Sequence, residues 1–215
     1  MTPEEFVSRY PTLYHMAEEG AWPSIQRHSL LSTAAIVDLF QPTAGVRDAI
    51  LSEVRRSSII LRRDGFDDVT VRDQLPLKFL DACLKEGVSR QAFLDALNGR
   101  VYFWVAEERL ERLLNARAYR GRRHLILSID TRELLAAYAP QVDLAPYNTG
   151  SAHVPNAPKR GPDVFTPLAD YPFEFWRQER GRGGEPVVEL TVRYAVPDIL
   201  KFTQRAELRT LPVRP

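Results

Sequence analysis

The chain has 215 residues, 44% hydrophobic and 27% charged, an ordinary globular balance for one large domain or two very small ones. A formal net charge of +1 leaves no global field to draw it toward nucleic acid or a membrane surface. The single cysteine, Cys83, excludes an intramolecular disulfide and suits a reducing compartment.

The start "MTPEEFVSRY" lacks the basic and apolar segments of a signal peptide. No stretch approaches the roughly 18 apolar residues of a membrane helix, so a cytoplasmic protein with no membrane partner is expected. Thr2, Pro3, Glu4 and Glu5 predict a capped helix start, with acids near the positive end of its dipole. Pro11 ends that helix. "TLYHMA" reads as a strand, "WPSIQRHS" as a helix, "LLST" as a turn, and "AAIVDLF" and "GVRDAILSEV" as two further helices. "SSIILR" and "DVTVRD" form a strand pair turning at Asp64-Gly65. Helices follow at "PLKFLDACLKE", where Cys83 falls beside Leu80 and Leu84 as a core thiol, and at "SRQAFLDALN", capped by Ser89.

A strand "RVYFWV", an amphipathic helix "AEERLERLLNAR" and a strand "RRHLILSID" come next, then a helix "TRELLAAYA" capped by Asp130 or Thr131. Residues 109–123 hold six arginines and one glutamate, either a solvated helix face with a basic turn or a docking patch for phosphates. Residues 140–172 hold seven of the 16 prolines and read as one long functional or mobile loop. A strand "VVELTVRY", a helical turn at 197–200 and a strand "FTQRAELR" close the chain. In the first of these, Val188, Leu190, Val192 and Tyr194 form a core-facing row, with Glu189 on the other face. With no repeat and no low-complexity linker, the sum is a single α+β domain over 1–215, helix-rich in its first half.

The four histidines have no ligand-spaced Cys or acid, so no metal is expected. No G-x-S-x-G, P-loop or G-x-G-x-x-G motif occurs, which disfavours common hydrolases, P-loop enzymes and dinucleotide folds of the Rossmann type. Three strands each carry an unusual residue: His15 in "LYHMA", Tyr102 beside Phe103 and Trp104 in "RVYFW", and Glu189 in "VVELTVRY".

In this order the three resemble the His-Tyr-Glu signature of the ADP-ribosyltransferase fold. "LYH" is similar to the first strand of poly-ADP-ribose polymerases, and "LYHMAEEGAWPSIQRHSLLST" resembles the opening of DarT-type DNA ADP-ribosyltransferases. "VYFWVAEERLERLL" is similar to the family's strand leading into a helix, and "VELTVRYAVPDILKFTQRAEL" to its closing segment. With "VRDQLP", "LNGRVYFW" and "PYNTG", the pattern also resembles an uncharacterised bacterial family associated with that fold.

The resemblance implies a split β-sheet domain and an NAD-dependent ADP-ribosyltransferase, with NAD as co-substrate and no metal. Glu189 would be the catalytic carboxylate. Of Arg55, Arg56 and Arg72, the preferred helpers are Arg56 and Arg72. His15, Met16, Ser32, Thr33, Tyr102, Phe103 and Tyr119 would line the NAD site, and Asn148 and Arg160 would touch the acceptor. Two positions depart from the polymerases: Met16 replaces a glycine, and Leu113 stands at the offset of a second stacking tyrosine, with Tyr119 the nearest substitute. A nucleic-acid or protein acceptor, and a toxin or antiphage role with an antitoxin partner, are further implications. The competing expectations are an RNA 2′-phosphotransferase and a catalytically silent nucleotide- or protein-binding module of the same fold.

Overall fold

The computed structural model describes residues 1–117 and 119–210. Ala118 of the arginine run and the last five residues of the expected 1–215 domain lie outside the described residues.

Helix α1 (Pro3–Arg9) begins as the sequence predicts. The Thr2 hydroxyl accepts from the Glu5 amide at 3.2 Å, and the Glu5 carboxylate accepts from the Thr2 amide at 2.9 Å. This reciprocal box satisfies two amides at the helix start. Thr2→Ala is expected to lower the unfolding free energy by about 1 kcal/mol, read from a urea titration.

The remaining elements are β1 (Thr12–Glu18), α2 (Trp22–His28), β2 (Leu30–Leu31), α3 (Thr33–Phe40), α4 (Ala44–Leu51), β3 (Ile59–Leu61), β4 (Val69–Val71), α5 (Leu80–Cys83), α6 (Arg90–Asn98) and β5 (Arg100–Trp104). They continue with α7 (Glu107–Leu114), β6 (His124–Asp130), α8 (Thr131–Tyr138), β7 (Val142–Ala145), β8 (Thr166–Pro167), α9 (Phe173–Arg180), β9 (Glu189–Arg193), β10 (Ala195–Val196), α10 (Ile199–Phe202) and β11 (Thr203–Arg209). The fold is α+β. Its main sheet has seven strands in the order β11-β6-β1-β5-β9-β7-β8, and every neighbouring pair is antiparallel.

One face of the sheet packs Leu13, Val101, Phe103, Leu127, Leu190 and Val192 under α1, α8 and α10. On the other face α7 covers part of β1 and β6, packing Leu110 and Leu114 against Met16 and Ile126. The ladder is uneven. β1 shares seven residue pairs with β6, from Thr12↔Asp130 to Glu18↔His124, but only Tyr14↔Trp104 with β5. Past that pair the two strands part.

The structure corrects several expectations. "LLST" is not simply a turn: Leu30 and Leu31 pair with β10 before Ser32 caps α3. "PLKFLDACLKE" is not one helix but a 3₁₀ turn and the short α5, because Leu84 turns extended and bridges to Arg160. Residues 140–172 are not one loop. β7 is four residues long and buried along its whole length, with Val142 and Leu144 in the core and Asp143 on the other face, and it pairs with β9 from Val142↔Val192 to Ala145↔Glu189. Helix α9 was not expected. Tyr194 does not extend the core row: its φ is +65°, half its surface is exposed, and its hydroxyl donates to Asp38 at 3.0 Å. Cys83 is buried beside Leu80 as its spacing predicts.

Candidate active site

The pleat of β5 and β9 sorts their residues between two faces. Val101, Phe103, Leu190 and Val192 enter the core. Arg100, Tyr102 and Trp104 take the opposite face, directly across from Arg193, Thr191 and Glu189. That face is covered too. Glu189 sits between Trp104 on β5 and Ala145 on β7 and keeps only 4% of its surface exposed.

The cover is the segment after β7. It curls back so that Thr149, 40 residues away in sequence, donates both its amide (3.1 Å) and its hydroxyl (2.8 Å) to Glu189 Oε2. Oε1 takes no hydrogen bond from the described residues, and it is not sealed from solvent. Burial pushes the Glu189 carboxyl up to about 7, against the two Thr149 hydrogen bonds and the charges of Arg160 and Arg109, which pull it down.

His15 occupies the point where β1 and β5 part. Its Nδ1 lies 2.8 Å from the Tyr102 carbonyl. A carbonyl oxygen only accepts, so Nδ1 carries the proton and Nε2 is an acceptor facing the cleft. Burial holds the imidazole below its usual value, aided by Arg72 and opposed by the Tyr102 carbonyl, so the ring is neutral at pH 7. The Tyr102 hydroxyl donates to the Leu97 carbonyl at 2.8 Å. Burial first, then the charge of Glu189, hold this phenol well above its usual value. Tyr102 therefore offers a ring face, not a titrating acid.

His15, Tyr102 and Glu189 line one cleft of about 280 Å³, together with Arg72, Tyr119 and Asn148. A second cavity of about 440 Å³ adjoins it, sharing His15, Met16, Thr33, Arg72 and Tyr102, and extends to Ser32. Met16 and Thr33 thus face both spaces, while the Ser32 hydroxyl is engaged by the Ala35 amide at 3.1 Å as the cap of α3. Phe103 belongs to the core and reaches the cleft only at its edge, with its ring 5.8 Å from that of His15.

A protein-family model matches residues 11–203 of the chain, a span that holds all of these residues. The chain belongs to DUF7002, a family of unknown function. No curated protein matches it. Within this DUF7002 chain, among the described residues, no group of three or more His, Cys, Asp or Glu is placed to hold a metal ion. No helix among them is long and apolar enough to cross a membrane.

The arginines separate sharply. Arg72 lines the cleft, with its guanidinium 4.4 Å from the Tyr119 ring centroid and its Nε 3.1 Å from Glu18. Its Nη2 is buried without a protein partner. Arg55 is buried and donates to the carbonyls of Ile50 (2.7 Å) and Arg72 (2.8 Å) and to Asn98 Oδ1 (3.0 Å). Burial lowers it to about 10, so it stays charged and fixes the backbone that carries Arg72. Arg56 is exposed and lies outside the cleft. Arg160 is not an acceptor contact. It is buried under the Tyr147 ring at 4.3 Å, and its guanidinium donates to the carbonyls of Asn148, Ser151 and Pro158. It pins the segment that carries Thr149. In the arginine run, Arg122 and Arg123 pair with Glu18 and Glu19 at the end of β1.

One important residue of this DUF7002 site escaped the sequence reading: Thr149, which holds Glu189. "PYNTGS" draws attention to Asn148, but nothing local distinguishes its neighbour Thr149 as the donor to Glu189.

Proposed function

We propose that the chain is an NAD-dependent ADP-ribosyltransferase of ADP-ribosyltransferase-like fold, with Glu189 as its catalytic carboxylate. The convergence of His15, Tyr102 and Glu189 from three neighbouring strands on one cleft carries this reading. The parting of the sheet between β1 and β5 supports it, since the resemblance implies a split sheet.

Cleaving the bond between nicotinamide and ribose builds positive charge on the ribose, as in glycoside hydrolysis. A carboxylate beside that ribose accepts a hydroxyl hydrogen bond and stabilises the charge, most strongly where water is excluded. Glu189 Oε1 is free for this role. His15 Nε2, as an acceptor, takes a ribose hydroxyl and orients the sugar. Arg72, lining the cleft, supplies positive charge for a phosphate oxygen. The Tyr102 ring offers a stacking surface for a planar cation, and Tyr119 lines the same cleft beneath Arg72. Asn148 stands at the same cleft beside Glu189, where the acceptor, a nucleic acid or a protein, enters.

The test uses two samples of NAD, one labelled on nicotinamide and one on the adenylate phosphate, each incubated with the purified chain and a cell lysate as the source of acceptor. Release of nicotinamide and appearance of ADP-ribose on macromolecules are expected, both lost in His15→Ala. No release, with no heat of NAD binding at millimolar concentration in calorimetry, would overturn the reading.

A further inference from the structure

The hydrogen bonds around Glu189 single out one oxygen. Thr149 directs two donors, amide and hydroxyl, at Oε2 alone. A hydroxyl has one proton to donate, and Thr149 gives it to the carboxylate rather than to a backbone carbonyl of its own segment. Thr149 is itself fully buried. The segment is held on both sides: the Arg180 guanidinium donates to the Pro146 carbonyl, the Ala152 amide donates to Pro76 at 2.8 Å, and the Ala152 carbonyl accepts from Phe79 at 3.0 Å. Arg160 fixes Asn148 and Ser151 on either side of Thr149.

We infer that Thr149 is the positioning residue of the Glu189 carboxylate, locking its rotamer through Oε2 so that Oε1 alone is presented to the cleft. The catalytic consequence rests on the function proposed above; the lock itself does not. Two effects follow from the same contact. The rotamer of a buried carboxylate with one tethered oxygen is fixed before any ligand arrives, which is preorganisation. Hydrogen bonds to the charged form also favour that form, opposing the burial that drives Glu189 toward its acid. The titratable or charged groups facing the carboxylate are Tyr102 from β5, Arg109 from α7 and Arg160 from the Thr149 segment; the two arginines act in the same direction as Thr149.

Thr149→Val keeps the side-chain volume and the amide but removes the hydroxyl, whereas Thr149→Ser restores it. The Glu189 carboxyl is titrated by ¹³C NMR in the full chain with labelled glutamate, its signal assigned by its absence in Glu189→Gln. The wild-type midpoint is expected at about 7. In Thr149→Val it rises by about one unit, and Thr149→Ser returns it to the wild-type value. The acid limb of NAD turnover moves up with it, and the plateau of kcat falls about tenfold or more as the carboxylate loses its fixed rotamer.

An unmoved midpoint in Thr149→Val overturns the proposal, even if the variant is less stable, because a merely structural threonine alters stability without altering this titration. Should the valine variant not fold, Thr149→Ala reads the same loss. A shifted midpoint in a chain that never consumes NAD upholds the lock and rejects the transferase function, so the two failures are distinct.

Discussion

Glu189→Gln is expected to make the chain more stable and less active at the same time. Burial raises the Glu189 carboxyl from 4.5 to about 7 in the folded state. Between those values the folded chain keeps a proton that the unfolded chain has released. The stability Glu189 contributes is therefore fully present below about 4.5 and lost as pH rises through 7. The whole interval corresponds to about 3 kcal/mol. Glutamine does not ionise, and its carbonyl can still accept both Thr149 hydrogen bonds. The variant should match wild type near pH 4.5 and exceed it by up to about 3 kcal/mol at pH 8. For a chain of this length that is roughly 6 °C or more in Tm, measurable by calorimetry at the two pH values. Turnover of NAD should fall about 10²- to 10³-fold. A difference in Tm that does not vary with pH would remove the buried, ionising carboxylate from the account. Unchanged turnover would remove its catalytic role.

Asp143→Ala should act in the opposite direction on stability. Arg100 on β5 and Arg193 on β9 are directly paired across the ladder, and like charges in that position repel. Asp143, only 1% exposed on β7, resolves the conflict. It accepts from Arg100 at 3.2 and 2.9 Å and from Arg193 at 3.1 and 2.8 Å. Without it, two guanidiniums face each other with no anion between them. Removing one partner of a buried pair costs about 3–5 kcal/mol, and the half-exposed Arg193 places this case near 3. Urea unfolding measures it, with a larger deficit at low salt, where repulsion is less screened. Adding Arg193→Ala should restore part of the loss, as a double-mutant cycle reads directly. A deficit below about 1 kcal/mol would mean the two arginines reach solvent unaided.

The strands that carry the candidate site were legible because each alternates over a core. The α+β class, the capped start at Thr2 and the helices capped by Ser89 and Asp130 were legible for the same local reason: a side chain answers a neighbouring amide. What failed was what depends on distant residues. β7 spans only Val142–Ala145 inside a proline-rich stretch, and its Val142–Asp143–Leu144 alternation is too short to stand out until its pairing with β9 is known. The alternation through Val192 breaks at Tyr194, whose left-handed backbone no local pattern announces. Arg55, Arg56 and Arg160 are the same residue type in three environments: locked to carbonyls, open to solvent and sealed under a ring. That Glu189 lies on the face away from the core was readable. That this face is roofed was not, because the roof comes from Thr149, far along the chain.

The parting of β1 from β5 has a mechanical consequence. A continuous ladder makes a sheet bend as one plate, but here a single rung, Tyr14 to Trp104, joins two plates. One plate carries β11, β6 and β1; the other carries β5, β9, β7 and β8. His15 is built into the first and anchored to the second at the Tyr102 carbonyl, while Glu189 rides wholly on the second. The gap between imidazole and carboxylate is therefore set across this seam, and the contact of His15 with the Tyr102 carbonyl fixes its width.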